Sequence, residues 1–117
     1  MSANRFRLSG KHHFLTYPQC PISLGVAVNL IKALYKEKLE YALVCQERHK
    51  EKDKEGCCGL HLHAVVVLKN RWDIRNQNAL DLTHQGITYH GNYQRVKSLY
   101  GSIKYVCGWD RDWETTA

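Results

Sequence analysis

Two histidines separated by a single residue, His61 and His63, lie in the apolar run GLHLHAVVVL. In an extended chain, side chains two residues apart share a face at a spacing of about 7 Å, so both imidazoles can turn toward one ion. Two imidazoles alone hold a metal poorly. Glu47 closes the preceding apolar run, YALVCQE, and would stand beside the histidines if the two runs pair as a hairpin. One carboxylate with two imidazoles suits Mn²⁺ or Mg²⁺ with water at the remaining positions, and such an ion can polarise a phosphoryl oxygen. Cys57 and Cys58 offer a zinc alternative, but adjacent cysteines do not easily supply two ligands to one tetrahedral centre and no C-x₂-C occurs. They read as loop thiols. His12, His13, His49, His84 and His90 lack partners at metal-ligand spacing and read as surface or packing residues, with His90 beside Gly91 and Asn92.

Those three side chains need strands to carry them. In the histidine run, Leu60, Leu62, Ala64, Val66 and Leu68 alternate with His61, His63, Val65 and Val67, which predicts a strand with both histidines on one face. Tyr41 to Glu47 reads as the strand before it, and HKEKDKEG as the charged, exposed connection between them. HFLTY at 13–17, stopped by Pro18 and Pro21, predicts a first strand. Ser23 is a natural N-cap, and Leu24, Ala27, Val28, Ile31, Leu34 and Tyr35 form one apolar stripe, so a helix should follow and end in the run Lys36 to Glu40. Asn70 to Leu82 carries helical signals around Asn76 to Leu80, while Ile87 to His90 predicts a short strand before Gly91. Leu99, Ile103 and Val106 recur at helical spacing, predicting a last helix from Ser98 to Gly108. Strand, helix, strand, strand, strand, helix is an α+β plan with a largely antiparallel sheet.

The 117 residues and 13.6 kDa accommodate one domain, 1–117. The longest apolar stretch, Ala64 to Leu68, is far short of the ~18 residues a membrane span needs. The opening residues lack the apolar middle of a secretion signal, and five irregularly placed cysteines make no disulfide framework, so a reducing compartment is expected. Seventeen Lys and Arg against eleven Asp and Glu give +6. That sign favours a polyanionic partner, nucleic acid before anionic membrane.

The ordered segments Phe14-Leu15-Thr16-Tyr17-Pro18, Gln46-Glu47-Arg48-His49, His61-Leu62-His63 and, about forty residues on, Tyr105 resemble the motifs of rolling-circle replication initiators, the HUH endonucleases. The nearest likeness is to the Rep proteins of geminiviruses and related circular single-stranded DNA viruses, and it covers nearly the whole chain. It implies an RRM-like sheet of about five strands with helices packed on it, within the N-terminal part of a longer Rep protein. FLTYP is similar to the family's first motif, which contacts single-stranded DNA. His61 and His63 match the paired metal ligands of the second, and Glu47 the acidic ligand, implying Mn²⁺ or Mg²⁺. YHGNYQRVKS resembles the stretch before the nucleophile helix, and Tyr105, eight residues beyond Lys97, matches the catalytic tyrosine. The implied reaction is nicking and joining of single-stranded DNA at an origin stem-loop, through a tyrosine bonded to the 5′ phosphate and a free 3′ hydroxyl. Further implied partners are double-stranded origin DNA, host replication proteins and other copies joined through regions absent here, with the host nucleus as location.

The family usually carries lysine three residues after the tyrosine; here that position is Gly108. Lys104 projects about 100° away from Tyr105 around a helix, whereas Tyr100 and Lys104 share a face at i and i+4, which keeps Tyr100 in reserve as nucleophile. For phosphate contact the basic residues Arg5, Arg7, Lys11, Lys69, Arg71, Arg95 and Lys97 stand out, and Tyr17, Tyr89 and Asn92 for reading an unpaired strand. Trp72, Trp109 and Trp113 read as packing residues first and base-stacking platforms second. The rival reading is a non-catalytic, RRM-like single-stranded nucleic-acid-binding module. Such a sheet needs aromatics but has no use for Glu47, His61, His63 and Tyr105 together.

Overall fold

The strand that carries the two histidines lies at the centre of the molecule. A computed structural model describes residues 6–48, 59–108 and 112–116. Its elements are β1 (His12–Tyr17), α1 (Leu24–Tyr35), a 3₁₀ turn (Lys36–Lys38), β2 (Leu39–Arg48), β3 (Leu60–Leu68), β4 (Leu82–His84), β5 (Ile87–Tyr89), β6 (Asn92–Arg95), α2 (Leu99–Val106) and β7 (Asp112–Thr115). Five strands form one sheet in the order β6-β1-β3-β2-β7, every neighbour antiparallel. The α+β class and the antiparallel sheet agree with the sequence expectation. Arg5, Cys57, Cys58, Trp109 and the charged connection HKEKDKEG lie outside the described residues.

β3 is flanked on both sides, and its run from Leu62 to Leu68 is buried throughout because helices cover both faces of the sheet. The first face carries Leu15, Tyr17, Ala42, Val44, Leu62, Ala64, Val66 and Leu68. On it α1 packs Ala27, Val28, Ile31 and Tyr35, which follow the predicted apolar stripe. Ser23 caps α1, its Oγ accepting from Val26 N at 3.4 Å. Lys36 ends the helix in a positive-φ conformation (φ 53°), and Leu39 and Glu40, expected at the helix end, already belong to β2. The second face is shorter of cover. There Leu99, Ile103 and Val106 of α2 meet Phe14, Leu43, Cys45 and Val65. Eight residues of helix span only about 12 Å, so one end of this face stays uncovered.

Three departures from the sequence reading concern the second half of the chain. Asn76 to Leu80 is a series of turns rather than a helix, because Asn76 Oδ1 accepts from Asn78 N at 2.9 Å and so competes with helical bonding. Ile87 to Tyr89 is a strand, but it pairs only with β4 in a separate hairpin whose turn uses positive φ at Gln85 (52°) and Gly86 (80°). The edge of the main sheet is instead β6, whose backbone passes so close to β1 that a Cβ on Gly91 would sit 2.5 Å from Thr16 O. Finally, β7 adds an unforeseen edge, tied down by Thr116 N donating to Ala42 O at 3.0 Å. Among the described residues no helix is long and apolar enough to cross a membrane.

Candidate functional site

Strand alternation and register assemble the site at the uncovered end of the second face. Within β1, Leu15 and Tyr17 turn to the core while Phe14 and Thr16 turn the other way, opposite Val65 and His63 of β3. β2 on the far side sets Glu47 opposite His61 and Cys45 opposite His63. Directly opposed residues of an antiparallel pair share a face. Thr16, His61, His63 and Glu47 therefore share one surface, and the hairpin pairing inferred for Glu47 holds.

His63 is the hub. Its Nε2 lies 2.9 Å from Glu47 Oε1 and its Nδ1 3.3 Å from Thr16 Oγ1. The ring is held by Phe14, stacked at 6.0 Å between centroids with planes 29° apart, and by Tyr105, edge-on at 5.3 Å. Glu47 Oε1 also accepts from the Tyr105 hydroxyl at 2.9 Å, so one carboxylate oxygen joins the imidazole to the phenol. Toward an ionised carboxylate, which only accepts, the bond to Nε2 calls for a proton on that nitrogen, and which nitrogen carries it depends on the tautomer.

α2 delivers Tyr105. Its neighbour Val106 is fully buried against Cys45 and Val65, and one residue of helix turns about 100°, which swings Tyr105 to the margin of the sheet with 38% exposure. Ser98 starts the helix, its Oγ accepting from Gly101 N at 3.1 Å. Tyr100, five residues earlier, is 74% exposed, with the Lys104 ammonium 5.4 Å above its ring. Of the two tyrosines weighed from the sequence, Tyr105 is the one whose hydroxyl meets Glu47. Lys104 spends its charge on Tyr100 instead of the site.

Glu47 and His63 thus touch, and His61 stands across from Glu47 on the same face. Among the described residues no three His, Cys, Asp or Glu side chains close around a common point as they stand. The donor types nevertheless fit a hard divalent cation, since one carboxylate and two imidazoles from adjacent strands leave positions for water and substrate oxygen.

The residues expected to contact DNA fall in different places. Arg95 and Lys97 line a groove of about 460 Å³ together with Phe14, Gln94, Ser98, Ser102 and Tyr105, so they stand beside the site. Asn92 is exposed and pairs with Thr16 on the same face. Lys11, Lys69 and Arg71 are exposed at the opposite end of the sheet, about 20 Å from His63 by six residues of strand. Arg7 is committed to Asp73, with Nε and Nη2 at 3.1 and 3.2 Å from the two carboxylate oxygens, and this pairing holds the Asp73 carboxyl below the usual range.

Tyr17 is a correction. It is fully buried, its hydroxyl donates to Leu80 O at 2.5 Å, and burial holds its phenol well above the ordinary range. A ring in the core cannot stack on a base. Tyr89 is half-buried and packs against the same core. His90 bonds Asp81 at 2.7 Å, and Asp81 also accepts from Tyr93 at 2.6 Å, a network that secures the start of β6. Thr16, Phe14 and Gln94 lie within segments that the resemblance sets beside the DNA, though none is singled out there by itself. Alternation within FLTY would have found the first two, because Thr16 and Phe14 share the face opposite to Tyr17.

A family model described as the geminivirus Rep catalytic domain matches residues 6–114. The chain is 30% identical over 105 residues to a replication-associated protein of Cabbage leaf curl virus (isolate Jamaica), an alignment covering 86% of this chain and 28% of that protein. The chain therefore spans less than a third of the length of that curated relative.

Proposed function

This chain belongs to the family of geminivirus Rep catalytic domains, and from that premise we propose that it nicks and rejoins single-stranded DNA at a replication origin, with Tyr105 as nucleophile. The observation that carries the reading is the single Glu47 oxygen shared by the Tyr105 hydroxyl and His63 Nε2, each at 2.9 Å. A tyrosine packed for stability alone would not need its hydroxyl on a carboxylate that also binds an imidazole.

The strand enters along the groove of Phe14, Gln94, Arg95 and Lys97, where cations neutralise phosphates and the half-exposed aromatic edge favours unpaired bases. Tyr105 Oη, oriented by its hydrogen bond to Glu47 Oε1 before the ion is held, attacks the scissile phosphorus and releases its proton to water. The bond from phosphorus to the 3′ oxygen breaks, and that oxygen leaves as a hydroxyl after taking up a proton from water, which balances the one released by Tyr105. The product is a phosphodiester between Tyr105 and the 5′ phosphate, which keeps the bond energy for rejoining. Glu47, His61 and His63 are the residues that would hold a divalent ion, Mn²⁺ or Mg²⁺, whose chemistry when bound is to draw charge from the phosphoryl oxygens. Thr16 and Phe14 keep the His63 ring in place, and α2 keeps Tyr105 within reach of it. In this reading Lys97, in the groove, supplies the positive charge that Gly108 does not.

The test is incubation of the protein and Mn²⁺ with a labelled random-sequence single-stranded library, followed by denaturing gels for a covalent adduct. The adduct is expected with wild type and Tyr100→Phe and lost in Tyr105→Phe. Loss in Tyr100→Phe alone would move the nucleophile, and DNA binding without cleavage in the wild type would favour the RRM-like binding module.

A further inference from the structure

We propose that Thr16 is a positioning residue for His63, its hydroxyl serving as the partner of Nδ1 in whichever tautomer the ring adopts. The inference rests on the metal reading given above and extends it to a side chain that acts through His63.

Thr16 reaches His63 because of pairing register alone. It stands directly opposite His63 across the β1–β3 ladder, and the Oγ1 to Nδ1 separation is 3.3 Å. The His63 side chain is 9% exposed and wedged between the Phe14 and Tyr105 rings, so solvent has little access to replace a missing partner. In the tautomer with the proton on Nε2, toward Glu47, Nδ1 presents a lone pair and the threonine hydroxyl donates to it. When Nε2 instead gives its lone pair to a cation, the proton must reside on Nδ1, and the same hydroxyl then accepts it. Few side chains can serve both states. A hydroxyl rotates between donor and acceptor; a carboxylate would only accept and an ammonium only donate. Partners of this kind fix ring orientation, and their removal typically weakens metal binding 10–100-fold.

Two variants separate the hydroxyl from the packing. Thr16→Val keeps the branched shape and loses the hydroxyl, whereas Thr16→Ser keeps the hydroxyl. Metal-free protein with nitrogen-15 histidine is examined by imaging the His63 nitrogen resonances by NMR, and Mn²⁺ affinity is measured by titration calorimetry. In Thr16→Val the Nδ1 resonance is expected to move toward that of an unbonded nitrogen, and Mn²⁺ binding to weaken about 10–100-fold. Thr16→Ser should restore both to near wild type. Wild-type resonances and Mn²⁺ affinity in Thr16→Val would overturn the proposal alone, as would a Thr16→Ser protein that behaves like Thr16→Val. A wild-type protein that fails to bind Mn²⁺ would overturn the metal reading and this inference with it.

Discussion

Acid should destabilise this protein through a histidine on the sheet face opposite the site. His13, on the core side of β1, is fully buried, and its Nδ1 bonds the Tyr35 hydroxyl at 3.0 Å. Burial lowers its pKa from 6.5 to about 4, outweighing the opposing pull of the Gly10 carbonyl, and neighbouring His12 adds to the depression. Between these values the unfolded chain binds the proton and the folded chain does not, so stability falls as pH drops from 6.5 toward 4. The full difference corresponds to about 3 kcal/mol, of which about 2.5 kcal/mol is lost by pH ~4.5. Urea unfolding of wild type and His13→Phe at pH ~7.5 and ~4.5 isolates the effect, because carboxylates such as Asp73 are common to both proteins. Phenylalanine leaves the Tyr35 hydroxyl unpaired and lowers stability at both pH values, but it removes the titration. The wild type should lose about 2–3 kcal/mol more than the variant between the two conditions. Equal losses would refute the reasoning.

Other outcomes follow from the sheet edge and the groove. Gly91→Ala would place its Cβ 2.5 Å from Thr16 O and 2.8 and 2.9 Å from ring carbons of Tyr93 and Tyr17, all backbone or tightly packed atoms. Denaturant midpoints should show a loss of about 1–3 kcal/mol as β6 is pushed from β1. Lys97→Gln, in the groove beside Tyr105, should weaken single-stranded DNA binding and reduce the slope of log K against log salt by about 0.7. Lys69→Gln, at the opposite end of the sheet, should leave the affinity for a short oligonucleotide nearly unchanged, which fluorescence anisotropy across a salt series can check.

The sequence alone determined the parts whose signal is local. Period-2 alternation in HLHAVVVL placed both histidines on one face of β3, and the stripe behind Ser23 marked α1, because strand and helix geometry dictate which neighbours share a face. The +6 charge pointed to nucleic acid and the ordered motifs to the family, and the family match bears the latter out. Where local signals conflicted or were short, the reading failed: the asparagine-rich turn at Asn76 imitates a helix start, and four-residue β6 and β7 are too brief to show a period. The functional ranking of FLTYP also reversed, since Tyr17 is core and Thr16 faces the site, a matter of one residue of alternation. Only the tertiary structure decided that Tyr105 rather than Tyr100 reaches Glu47, that Thr16 partners His63, and that Lys97 rather than Lys69 lies beside the tyrosine. Each of these depends on register between strands and on the angle at which α2 is seated. Those quantities arise from how buried side chains fit across elements distant in sequence, so no window along the chain contains them.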